Sequence, residues 1–236
     1  MIKNIIIGIL LVILLIWMIG ICFKQNIIKY NNKKTDKIEV FDNRPDMPKQ
    51  FGYKISWIVI KTDDLDEVIT KLNLTNRIIA NWSDGINAVY SKKYVFITPV
   101  IDGYICIIAN DLIGQDKIVK KITSQFKEAF LCQSNRTIDL YCWQKYINGE
   151  MSRNYCYMGE SGTVISEGVL TAEELNLGFD NFPQNDDEMF GEKNVKYPAE
   201  EDVINISKEW GFDTRFEDYS LGLTTGYVYS IDLFNE

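Results

Sequence analysis

Apolar and polar positions divide this chain into distinct stretches. Ile5 to Phe23 is apolar throughout and carries no charge. As a helix rising about 1.5 Å per residue it would reach roughly 28 Å, close to the ~30 Å of bilayer hydrocarbon. A cleaved signal peptide would have a shorter apolar region and small residues at its exit. Here the exit reads Ile19-Gly20-Ile21-Cys22-Phe23-Lys24, with bulky Ile21 where a lipid-modified Cys22 would need a small neighbour. The pattern therefore predicts one transmembrane helix over 5–23 behind a short flank, 1–4. Residues 24–50 are polar, with Pro45 and Pro48, and read as a juxtamembrane linker. A soluble domain is expected over 51–236.

Within that domain the period of the pattern changes repeatedly. Ser56 to Lys61 reads as a buried strand. Thr62-Asp63-Asp64 then offers a helix start, with Leu65, Val68, Ile69 and Leu72 at helical spacing. Ile78 to Trp82 reads as a short strand ended by the turn signal Ser83-Asp84-Gly85, and Ile86 to Tyr90 as another strand. Tyr94–Thr98 and Tyr104–Ile108 form a predicted hairpin through Pro99–Gly103. Ile118, Val119, Ile122, Phe126 and Phe130 make an apolar stripe that predicts a helix over 116–130. Ile138–Ile147 and Met151–Met158 flank Asn148-Gly149, a type I′ turn signal.

Later come a capping box at Thr171–Glu174 and a helix over 198–210, with Pro198 in its first turn and Gly211 as its stop. Mixed short strands around few helices predict an α+β fold. The expected sheet is largely antiparallel, with two or three packed helices, and the transmembrane helix precedes it.

The last hairpin also bears on the cysteines. A two-residue turn pairs Cys142 with Tyr155 and puts Cys156 on the other face, together with Trp143. A three-residue turn would set Cys142 opposite Cys156 and permit a disulfide. Cys106 and Cys132 sit among apolar neighbours and read as buried free thiols.

Composition sharpens the picture mainly by exclusion. The chain has 236 residues and no histidine, which removes every catalytic or metal site that needs an imidazole. Its net charge of −8 argues against nucleic acid as a partner. The charge is uneven: residues 160–236 hold 18 acidic and 4 basic side chains. The lysines Lys24, Lys29, Lys33, Lys34 and Lys37 follow the apolar run and predict that the domain stays cytoplasmic.

Carboxylates remain as candidate chemistry. Asp186, Asp187 and Glu188 in an acidic loop, with Glu200, Glu201 and Asp202 at a helix start, form a candidate face for binding a basic protein. The loop lacks the spacing and central glycine of an EF-hand, so no metal site is assigned. No phosphate-cradling motif is present, and no cofactor is expected. Glu150, Glu160 and Glu167 lie near turns, where a carboxylate pair could hydrolyse a glycan.

Trp82-Ser83-Asp84-Gly85-Ile86, the run Val95 to Tyr104, Gly159-Glu160, and Glu200-Glu201-Asp202-Val203 with Trp210 resemble a group of uncharacterised bacterial proteins. Those proteins carry W-x-x-G and V-F-V-T-P-P-V-D-G-W-like segments. This chain departs from them at Val100 and Tyr104. The resemblance spans roughly Trp57 to Trp210; it implies a shared fold and supplies no active site. The expectation is a membrane-anchored, non-catalytic bacterial interaction protein, immunity-like in using an acidic face against a basic partner. The alternative is a carboxylate-dependent hydrolase of envelope glycan, which needs the domain outside the cytoplasm.

Overall fold

The computed structural model describes residues 40–183 and 195–234. The apolar run 5–23, its lysine flank and the acidic residues Asp186, Asp187 and Glu188 lie outside the described residues. Among the described residues no helix is long and apolar enough to cross a membrane.

The fold grows outward from β1 (Ile55–Lys61), where every residue but Lys61 is buried. Its alternation feeds two cores. Ile55, Trp57 and Val59 face one side of the sheet, and Ile58 and Ile60 face the other. Next come α1 (Leu65–Lys71), β2 (Ile78–Asn81), α2 (Trp82–Tyr90), β3 (Tyr94–Ile97), β4 (Tyr104–Ala109) and α3 (Asp116–Thr123). They are followed by β5 (Glu128–Asn135), β6 (Leu140–Ile147), β7 (Glu150–Met158), β8 (Thr163–Gly168), α4 (Ala172–Asn176), α5 (Glu200–Glu209) and β9 (Thr225–Ser230).

The strands form one sheet in the order β2-β9-β3-β4-β1-β5-β6-β7-β8. Every neighbouring pair is antiparallel. The α+β class with an antiparallel sheet is thus as expected. α2 and α5 pack on the Trp57 side, α1 and α3 on the Ile58 side.

Three expected elements differ. Residues 82–90 are a helix rather than a turn and a strand. Trp82, Gly85, Ile86 and Val89 fall on one helical face and are buried, while the Asn81 side chain accepts the Asp84 N–H and caps the first turn. The helix expected over 116–130 stops at Thr123. Residues 128–135 become β5, which sends Ala129 and Leu131 to one core and Phe130 and Cys132 to the other. An apolar run buried on both sides has no period to distinguish strand from helix.

The third difference is the start of the domain. Residues 41–50, read as linker, belong to the compact unit Phe41–Glu236. Asp46 pairs with Thr224 through backbone bonds in both directions. Its carboxylate accepts from the Trp82 N–H at 2.7 Å, the Ser83 N–H at 3.1 Å and the Ser83 hydroxyl at 2.5 Å. The free N–H groups of α2 are thereby satisfied from a segment 36 positions upstream. Asp46→Ala should destabilise the domain by about 1–2 kcal/mol in equilibrium unfolding, the usual worth of a helix cap. A free linker would show no change.

The β6–β7 hairpin turns through Asn148 and Gly149, both at positive φ. The register then shifts between Lys145 and Tyr146, because Ser152 enters β7 as an extra residue and its hydroxyl bonds the Lys145 carbonyl. This changes the faces. Trp143 now opposes Tyr155, and Cys142 opposes Cys156 in a disulfide. Cys106 and Cys132 are free and fully buried, and burial pushes both thiols well above their ordinary pKa.

Candidate binding groove

α3 covers the Ile58 side of the sheet only as far as β5. Past it, β6, β7 and β8 leave Met151, Met158 and Ile165 exposed. Between the helix and these strands lies a groove of about 610 Å³. Its volume falls in the range usual for ligand sites.

The floor of the groove is a row of polar side chains that crosses three strands. The Tyr146 hydroxyl donates to Gln144 Oε1 at 2.7 Å. Gln144 Nε2 donates to Asn154 Oδ1 at 3.1 Å. Asn154 Nδ2 donates to Glu167 Oε2 at 3.1 Å. The row exists because the Ser152 bulge brings Asn154 opposite Gln144. Tyr146 is 9% exposed and Asn154 7%. Burial raises the Tyr146 phenol to about 12, with the nearby Asp116 charge adding to the shift, so the hydroxyl stays protonated and can donate. Each amide nitrogen carries a second hydrogen that the row does not use. Asp116, Lys120 and Glu150 line the mouth, while Ile113, Met151 and Ile165 supply apolar surface.

The other hollows are less closed or differently built. One of about 690 Å³ lies open beside Asp63, Asp64, Asp66 and Arg77, the last stacked 4.7 Å from the Tyr227 ring. Another, of about 340 Å³, includes Lys54, Lys92 and Asn135. Gln133 lines it, but its oxygen already accepts the N–H groups of Leu112 and Ile113, which fixes that loop. Among the described residues no three carboxylates or thiols converge as metal ligands would.

The sequence-predicted acidic residues at the start of α5 sit together in its first turn, where the helix dipole favours anions. They already have partners within the domain. Glu200 lies 3.0 Å from the buried Ser134 hydroxyl and 3.9 Å from Arg136. Asp202 accepts the Ala199 N–H at 2.9 Å and pairs with Lys196 at 2.7 Å. Glu201 accepts from the Tyr53 hydroxyl and leaves 60% of its side chain exposed. Of the carboxylates near turns, Glu150 lines the groove and Glu167 ends its polar row, whereas Glu160 lies in the turn after β7.

Two further acids of the carboxyl-terminal third are buried. Glu174 is 0% exposed and receives both carboxylate contacts of Arg153 Nε, at 2.9 and 3.0 Å, and the Trp143 Nε1–H at 2.8 Å. The alternation of β7 carries the signal for this pair: Arg153 shares the face of Tyr155 and Tyr157, where a charge must find a partner.

Asp213 is 3% exposed. Burial alone would raise its carboxyl, but the side-chain and backbone hydrogen bonds of Arg215, with Lys208 nearby, hold it below its ordinary value. A depressed folded-state pKa adds stability above the unfolded value, and that stability disappears as pH falls through the folded one. Asp213→Asn should therefore flatten the acid limb of stability against pH, read by denaturant midpoints from neutral pH downward.

The residues of the Trp82–Ile86 and Val95–Tyr104 segments serve packing. The Trp82 and Phe96 rings meet edge to face at 5.5 Å, and Gly85 lies directly against Phe96. Gly211 makes room for Tyr104, and Asp102-Gly103 forms the positive-φ turn between β3 and β4. Fold and groove together define an antiparallel α+β domain with a ligand-sized recess on one sheet face. Comparison with family models, curated proteins and solved structures finds no match.

Proposed function

We propose that this chain is a membrane-tethered bacterial binding protein, held by residues 5–23, that docks a basic partner without chemically altering it. An immunity-like role, in which the acidic domain occludes a basic protein, is the specific form of this reading. The observation that carries it is the groove. Its floor is hydrogen-bonded from Tyr146 to Glu167, so the recess keeps its shape before anything binds. Asp116 and Glu150 line it against Lys120, and Glu167 ends the polar row of its floor.

The test is capture of partners on the immobilised full chain from its source lysate at low salt, followed by a salt gradient. A basic protein should elute as salt rises, and Glu150→Lys should fail to hold it. Retention of no protein at low salt would contradict the reading.

One observation favours the second reading, a hydrolase of envelope glycan. The Cys142–Cys156 disulfide belongs with an oxidising compartment, whereas the lysines after residue 23 favour the cytoplasm. A reporter fused to the carboxyl terminus decides between them. Activity only on the cytoplasmic side removes the hydrolase from its substrate; activity outside brings the two together.

A further inference from the structure

We infer that the groove between α3 and strands β6–β8 takes an extended, basic peptide segment of the partner. This rests on the binding reading above and names what that reading leaves open: where the partner docks and in what form.

The chemistry of the floor suits a peptide main chain. An extended peptide offers alternating N–H and C=O groups, and carboxamides can donate to one and accept from the other. Gln144 and Asn154 lie on adjacent strands, joined to each other by one hydrogen bond and held at the ends by Tyr146 and Glu167. They can therefore engage a ligand with little further ordering, which lowers the entropic cost of binding.

The walls suit the side chains of such a peptide. Alternate residues of an extended chain point to opposite sides. Met151 and Ile165, 44% and 36% exposed, offer apolar contact within the lining. Asp116 and Glu150 outnumber Lys120 in the lining, with Glu167 beyond them at the end of the polar row, and this acidic excess favours lysine or arginine over acidic residues. A sugar chain fits less well. Its ring faces need an open aromatic face to stack on, and the aromatic residue lining this groove, Tyr146, is buried with its hydroxyl committed to Gln144.

The experiment pans a library of random displayed peptides against the full chain in mild detergent. Enriched peptides are then titrated against the wild type, Glu150→Lys, Asn154→Leu and Glu201→Lys. Glu150 is exposed at the first position of β7, so its variant keeps the fold even if Asn154→Leu does not. A soluble N-acetylglucosamine oligomer is titrated in parallel.

The expected result is enrichment of peptides that alternate basic and apolar residues. Their affinity should drop about tenfold or more in Glu150→Lys, the loss of one good charge contact, and stay unchanged in Glu201→Lys. If Glu201→Lys weakens them and the groove variants do not, the groove is the wrong site while the binding reading stands. Binding of the sugar oligomer with no peptide enriched would overturn both. Enrichment of acidic peptides, or of no ligand at all, would overturn the groove proposal.

Discussion

Replacing Glu174 by alanine is expected to cost about 3–5 kcal/mol of folding stability, the usual loss when one member of a buried ion pair is removed. Arg153 and Glu174 are 1% and 0% exposed, so the guanidinium left behind would have neither water nor a counter-charge. The same carboxylate accepts the Trp143 indole N–H and the Thr171 N–H that opens α4. Its loss thus frees three donor groups and unpins the segment that brings Phe179 and Phe182 onto Trp143 and Tyr155. The double variant Arg153→Leu/Glu174→Leu should recover much of the loss, because it removes both desolvated charges. Denaturant midpoints of the two single variants and the double give the coupling directly. Near-additive losses would show that the pair is not the unit that holds this segment.

The second large effect is expected at Gly85. A Cβ at this position would overlap the Phe96 ring, and Phe96 is fully buried between Gly85 and Gly226. The ring cannot retreat, since Trp82 meets it at 5.5 Å and Gly226 bounds it on β9. Gly85→Val should destabilise the domain by about 3 kcal/mol, at the upper end of the cost of overfilling a core. Phe96→Leu alone should also destabilise. Combined with Gly85→Val it should recover part of the loss, because the smaller side chain yields the space that the valine takes. Additive losses would place the strain elsewhere. Trp82 and Gly85 of α2 thus pack with Phe96 of β3 as one unit.

Much of the sheet was legible because its strands end in strong local signals. Asn148-Gly149 and Asp102-Gly103 mark hairpin turns, and both pairs adopt positive φ. Asp64, Thr171 and the acids of α5 mark helix starts. Two other features were hidden for a physical reason. β5 and the β6–β7 hairpin are apolar on both sides, so the usual penalty for a one-residue slip was silent and the Ser152 bulge left no trace in the pattern. That bulge decides the candidate site: without it Asn154 would not face Gln144, and Cys142 would not meet Cys156.

The acidic excess of the last third was visible, but not its allocation. Glu174 and Asp213 are consumed by pairing with Arg153 and Arg215, and Glu200 and Asp202 are engaged at the start of α5. Such allocation depends on which residues the topology brings together, and Arg153 and Glu174 meet only because α4 lies on β7. The amides of the groove gave no signal at all, since Gln and Asn in a strand read as ordinary solvent-facing positions until their burial is known.

The central claim is that the domain recognises a partner and leaves it chemically intact. The most direct test incubates the purified full chain with envelope peptidoglycan and follows the release of reducing ends, beside the Glu150→Gln and Glu167→Gln variants. The account predicts the same background for all three proteins. Release by the wild type that either variant abolishes would contradict it.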